Sequence, residues 1–245
     1  MPDGRLWADG RTHDTPWRSP PGVLFDVDGT LIDSSYIHTV AWWRAFRQYG
    51  HDVPMADIHQ LVGMGGARLV ENLLPAGRDL AEDEDIMASH GALYASQWPS
   101  LRALAGAKEL LGQCHAGGLA VALASSARQR DLQVMRSVLD ADAFIDAATS
   151  ANDAAESKPA PDILEAALEA VGVEAANAVY VGDAVWDMKA AGALGIPAIG
   201  LTCGGIHAAK LRDAGAVEVY DGPRHLLQSL GSSAIGRLLT PQPYS

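Results

Sequence analysis

The sequence predicts an α/β fold, a doubly wound parallel sheet with a small all-helical domain inserted after its first strand. Two observations carry this. From residue 101 onward short apolar runs alternate with amphipathic helical periods, the signature of a parallel sheet covered on both faces. Between Asp33 and Leu101 helical periods follow one another with no strand pattern among them. At 245 residues the chain accommodates one large domain, or a core with a smaller companion.

Residues 1–21, rich in Pro, Gly, Asp and Arg and without an apolar period, read as a flexible lead-in. Val23-Leu24-Phe25 ends in Asp26, as a buried parallel strand would. Four helices are then expected, over Ser34–Tyr49, Met55–Val62, Ala67–Leu74 and Glu82–Gln97. The first is capped by Asp33 or Ser34 and stopped by Gly50. Later strands are expected over Leu119–Ala124, Ala178–Val181, Ile196–Leu201 and Val217–Tyr220, with Phe144-Ile145 a weaker candidate. Helices over Ala107–His115, Gln129–Leu139, Asp162–Val171, Val185–Leu194 and His207–Ala214 fill the gaps. The expected division is a lead-in over 1–21, a core over 22–34 and 101–232, a helical cap over 35–100, and a tail over 233–245.

A phosphate-backbone binder needs a basic face, and a net charge of −12 argues against one, and so against nucleic-acid partners and anionic membrane surfaces. The longest charge-free stretch, between Lys189 and Lys210, is broken by glycines and Pro197, so no membrane span is expected. Two distant cysteines, Cys114 and Cys203, suit a reducing compartment, and a cytoplasmic location is expected.

The chemistry concentrates in four places. Asp26 and Asp28 follow the first strand in Phe25-Asp26-Val27-Asp28-Gly29-Thr30-Leu31, where ligands bind in open α/β sheets. Two acids so spaced can share a divalent cation, or divide nucleophilic and proton-transfer roles. Asp183 and Asp187 follow another apolar run, and Asp187 also suits a helix's first turn. Several acids at the strand ends of one sheet repel each other unless a cation is present, and Mg²⁺ fits best because no His/Cys cluster competes. Lys158 is framed by Pro159 and Pro161 on a loop, whereas most lysines are solvated. Ser125 and Ser126 end a strand where a hydroxyl can bind a phosphate oxygen or simply cap a helix.

In this order, Asp-x-Asp-Gly-Thr-Leu, strand-end Ser, Lys-Pro and Gly-Asp-x-x-x-Asp, the motifs resemble the haloacid dehalogenase-like hydrolase superfamily over about residues 22–230. The helical insertion resembles the cap of its phosphoglycolate phosphatase and β-phosphoglucomutase branch. The resemblance implies a Rossmann-like sheet with a mobile cap, and a phosphatase acting on a small phosphorylated metabolite. It implies Asp26 as nucleophile and Asp28 as acid, then base. Asp26, Asp28 (through its backbone carbonyl) and Asp183 would be Mg²⁺ ligands, and Asp187 would support the ion's water shell or Lys158. Ser125 and Lys158, with Thr30 or nearby backbone N–H groups, would hold the phosphoryl oxygens. In the cap, His38 and, after the Gly63–Gly66 loop, Arg68 are expected near substrate; each is otherwise an ordinary surface or packing residue.

A phosphosugar mutase would share this chemistry, but that branch tends to carry Glu where this chain has Gly182. A 2-haloacid dehalogenase would not need Asp28 or Mg²⁺. A phosphonoacetaldehyde-type hydrolase needs a cap lysine, and residues 33–100 contain none. A non-catalytic binding protein on the same fold would be expected to have lost Asp26, Asp28 or Lys158.

Overall fold

The computed structural model describes residues 19–239, so most of the expected lead-in lies outside the described residues. Six parallel strands form one sheet in the order β3-β2-β1-β4-β5-β6. They are β1 (Gly22–Phe25), β2 (Ala120–Ala124), β3 (Ala147–Thr149), β4 (Ala178–Gly182), β5 (Ala198–Leu201) and β6 (Ala216–Tyr220). The chain starts in the middle, lays β2 and β3 on one side of β1, and then β4, β5 and β6 on the other. The gap between the ends of β1 and β4 is therefore a topological switch point, where parallel sheets open a crevice for ligands.

Alternate side chains feed two apolar layers. Val23, Phe25, Val121, Leu123, Val179 and Val181 pack on one face; Leu24, Ala122, Ala124, Tyr180 and Ala198 pack on the other. The covering helices are α5 (Ala107–Ala116), α6 (Gln129–Leu139), α7 (Asp162–Val171), α8 (Val185–Ala193), α9 (Ala208–Asp213), α10 (Pro223–Gln228) and α11 (Ala234–Leu239). The insertion contributes α1 (Ser35–Gln48), α2 (Met55–Leu61), α3 (Gly66–Leu73) and α4 (Glu82–Ala95). These enclose their own core around Trp42, Phe46, Ile58, Leu69, Val70 and Ile86. The two chain crossings run side by side, with Asp33 N–H donating to the Arg102 carbonyl at 2.9 Å and Leu104 N–H to that of Leu31 at 2.8 Å.

Two details differ from the expectation. Phe144-Ile145 is not a strand: Asp142–Phe144 forms a 3-10 turn, and the Phe144 ring packs against Gly112 of α5. The edge strand β3 begins at Ala147, and its Ala-Ala-Thr sequence has little β character to read. The stretch from 233 includes α11, whose Ala234 and Ile235 are buried in the core.

Candidate active site

Strand β1 delivers Asp26 to the switch point, where its N–H donates to the Val181 carbonyl at 2.9 Å. Strand β4 delivers Asp183, and the first turn of α8 delivers Asp187. Oxygen atoms of these three buried carboxylates lie within 4.8 Å of one another. Lys158, on a loop ahead of α7 and 1% exposed, donates to Asp26 Oδ1 at 2.6 Å and pairs with Asp187 Oδ1 at 2.8 Å.

Asp187 divides its two oxygens between a helix start and the lysine. Its Oδ2 accepts from the Ala184 N–H at 2.9 Å, as a helix-start carboxylate does, while its Oδ1 meets Lys158 and accepts from the Tyr180 hydroxyl at 2.8 Å. Glycines make the crowding possible. Gly29 has φ +73°, and a Cβ there would strike Ser35 and Asp183. Gly182 lies against the Asp187 carboxyl with no room for a side chain.

Three carboxylates and one ammonium, all largely buried, would carry a formal charge of −2 if every acid were ionised. Burial pushes Asp26 up to about 7 against the pull of Lys158, with the charges of Asp187 and Asp28 adding to the rise. Burial, then Asp187 and Asp26, drive Asp183 well above the usual carboxylate range. A cluster that resists ionisation until positive charge arrives, with hard oxygen donors only, fits a divalent cation such as Mg²⁺.

Asp28 points the other way, toward the cap. Its Oδ1 accepts from Ser34 Oγ at 2.6 Å, lies 3.0 Å from His38 Nε2, and is 3.5 Å from the Tyr94 hydroxyl. Burial disfavours its charge, but the His38 ring and the Ser34 hydroxyl outweigh burial and hold Asp28 below its ordinary value. His38 Nδ1 in turn lies 3.1 Å from His90 Nε2. The four cap rings stack in sequence: Tyr94 on His38 at 3.9 Å, and His90 on Trp42 at 3.9 Å between centroids. Burial keeps His90 far below the usual histidine range, aided by His38 and Arg128.

Between Asp26, Asp28 and the cap lies a cleft of about 340 Å³. His38 and Ser126 line it, and the Ser126 hydroxyl is shut from water with no hydrogen-bond partner among the described residues. Thr30 does not reach the cleft: fully buried, it donates to Asp183 Oδ1 at 3.1 Å, with Asp26 Oδ2 at 3.4 Å. The Ser125 hydroxyl is also buried beneath the cleft and accepts from the Ala127 N–H at 3.1 Å. Arg68 pairs with Glu156 of the core at the cleft mouth.

Sequence reasoning did not single out Ser34 as a partner of Asp28, nor Tyr94, His90, Tyr180, Arg128 or Asp131. Helical spacing held part of the signal. His38 and Trp42 are four apart on α1, and His90 and Tyr94 four apart on α4, so each pair shares a face.

An acid cluster with an embedded lysine at the strand ends of a parallel sheet, under a helical cap, defines a capped α/β hydrolytic enzyme. The family model of haloacid dehalogenase-like hydrolases matches residues 20–195, and the chain belongs to that family. It is 26% identical over 218 residues to a phosphoglycolate phosphatase of Pseudomonas fluorescens (strain Pf0-1), covering 86% of this chain and 80% of that protein. It is 28% identical over 182 residues to the validoxylamine A 7'-phosphate phosphatase of Streptomyces hygroscopicus subsp. limoneus, covering 74% and 84%. The crystal structure of a hydrolase from Pseudomonas syringae superposes with a TM-score of 0.83 at 30% identity, covering 87% of this chain and 99% of that one. Among the described residues no helix is long and apolar enough to cross a membrane.

Proposed function

We propose that the protein is a Mg²⁺-dependent phosphatase that hydrolyses a small phosphate monoester through an aspartyl-phosphate on Asp26. The observation that carries this reading is the buried Asp26–Lys158–Asp187 pairing, with Asp183 beside it and Asp28 facing the cleft. Two of the relatives are themselves phosphatases by name, which supports the reaction class. Gly182, where the mutase-like pattern has Glu, has no space for a side chain, which supports hydrolysis over isomerisation. The two free cysteines, one of them buried, support a cytoplasmic location.

Asp26, Asp183 and Asp187, with the Asp28 carbonyl, are the groups that would hold Mg²⁺ or its water shell. The bound ion supplies positive charge for the phosphoryl oxygens and keeps the carboxylates ionised. An oxygen of Asp26 attacks phosphorus and the ester P–O bond breaks; the bound phosphoryl group's negative charge raises Asp28 from its low resting value, so that Asp28 takes up a proton with the substrate and passes it to the leaving oxygen. The Asp28 carboxylate then takes a proton from water, whose oxygen attacks phosphorus. Inorganic phosphate leaves and Asp26 returns as a carboxylate. Lys158 holds Asp26 in place and adds charge to the transition state, where positioning and electrostatics dominate. His38 steadies Asp28 as it cycles between acid and base.

Hydrolysis of p-nitrophenyl phosphate by the purified protein tests this. Activity should vanish with EDTA, return with Mg²⁺, and be absent in Asp26→Asn. Unaltered activity after rigorous metal removal would overturn the metal assignment, and an active Asp26→Asn would overturn the nucleophile.

A further inference from the structure

On the core side of the cleft, the first turn of α6 carries Asp131, 7% exposed, on the cleft wall. Among the described residues no donor hydrogen-bonds its side chain. Oδ1 is shut from water without a hydrogen bond; its ion-pair partner Arg130 stands 3.6 Å off, beyond hydrogen-bond range, and lies over the Trp98 ring. A buried carboxylate without a hydrogen bond is costly, so it normally marks a place where another molecule supplies the donor. Burial raises its pKa, against the pull of Arg130, His38 and Arg128.

The neighbours narrow the donor's chemistry. Ser126 brings a second group without a hydrogen-bond partner among the described residues, a hydroxyl, to the same wall. Arg128 lays its guanidinium against α4, where Gly91 leaves the space. The wall thus offers a carboxylate acceptor, a guanidinium donor and a hydroxyl together. Vicinal hydroxyls satisfy all three, each one donating and accepting. A carboxylate ligand would satisfy Arg128 but would face the charge of Asp131, and Arg68 is already engaged by Glu156.

We propose that Asp131 is a specificity-determining residue: its carboxyl accepts a hydrogen bond from a hydroxyl of the leaving group. The cleft therefore takes phosphate monoesters of polyhydroxylated alcohols in preference to carboxylated esters such as phosphoglycolate. This rests on the phosphatase reading and adds to it a substrate class and the residue that selects it.

The test compares kcat/KM for sorbitol 6-phosphate, glucose 6-phosphate and phosphoglycolate, with Mg²⁺, in the wild type, Asp131→Asn and Asp131→Leu. The wild type should favour at least one polyol ester over phosphoglycolate by about tenfold or more. That ratio should fall about tenfold or more in Asp131→Leu, the fold-change expected for losing a hydrogen bond to a charged group, and by less in Asp131→Asn, which keeps one acceptor. If Asp131→Leu does not fold by circular dichroism, a fall in the Asn variant alone decides in favour. A wild type that prefers phosphoglycolate, or a ratio unmoved by substitution, overturns the role of Asp131 while p-nitrophenyl phosphate turnover keeps the phosphatase reading standing. If no phosphate ester is hydrolysed, that reading fails and this one with it.

Discussion

As the proposed nucleophile, Asp26 meets two opposed demands: it must be ionised to attack, yet burial favours its neutral form. Lys158 resolves part of the conflict, and the rest sets up a proton linkage. With Asp26 raised to about 7 and Asp183 also raised, the metal-free site carries protons near neutral pH that a cation must displace. Mg²⁺ affinity should therefore weaken as pH falls below about 7, and binding should release protons. Calorimetry in two buffers of different ionisation enthalpy would show this as a buffer-dependent heat, and identical heats would refute it. Lys158 itself is completely enclosed between two carboxylates. Lys158→Met should lower kcat/KM by about 10³ or more by removing charge from the phosphoryl site. It should also cost about 3 kcal/mol of stability, because the acids are left unpaired. Denaturant melts should show part of that loss recovered when Mg²⁺ is added.

Helices α1 and α4 form the face that governs Asp28. Removing the ring in His38→Ala takes away the largest influence holding Asp28 low, so its pKa rises. The limb of the pH–rate profile that reports Asp28 should then move to higher pH; a limb that stays put would dissociate His38 from Asp28. The stability consequence follows in sign. A lowered folded-state pKa stabilises the fold above the ordinary carboxylate value, and that contribution is lost as pH falls through the folded value. The difference in thermal stability between wild type and His38→Ala should thus narrow in acid. This face also shows what the sequence could and could not reveal. Strands β1, β2 and β4 announce themselves because buried parallel strands are continuous apolar runs, and Asp26, Asp183, Asp187 and Lys158 are legible because strand ends and prolines fix where they stand. Ser34 reads as an ordinary helix cap, yet its hydroxyl donates to Asp28 and makes no capping bond. That choice depends on where the loop after β1 turns back, which no local pattern encodes. Asp131 looks like any first-turn acid for the same reason: the cap residues that share its cleft, His38 among them, are remote in sequence.

For the whole molecule, the open question is what holds the cap against the core. Beyond the bonds to Asp28, cap and core meet through polar groups, among them Lys210, which donates to Gln60 of α2 at 2.6 Å. Arg68 pairs with Glu156, the Gly63–Gly66 loop rests against Ser157, Ala184 and Trp186, and His59 of α2 lies 2.9 Å from the Gly204 carbonyl. Arg68 and Glu156 are 37% and 61% exposed, so water screens their attraction, and such pairs are worth at most about 1 kcal/mol. A weak latch suits a lid that must open every turnover, since a strong one would slow product release. Removing it should shift the balance toward the open cap without touching the chemistry. Arg68→Ala and Glu156→Gln should each raise KM up to about fivefold with little change in kcat, and the double variant should add almost nothing to either. The wild-type KM should drift toward that of the variants as salt rises from ~0.05 to ~0.5 M, because screening weakens the same exposed pair. Should Arg68 instead touch substrate directly, Glu156→Gln would leave KM alone and only Arg68→Ala would raise it. Steady-state kinetics of the two single variants therefore separates a latch from a binding residue.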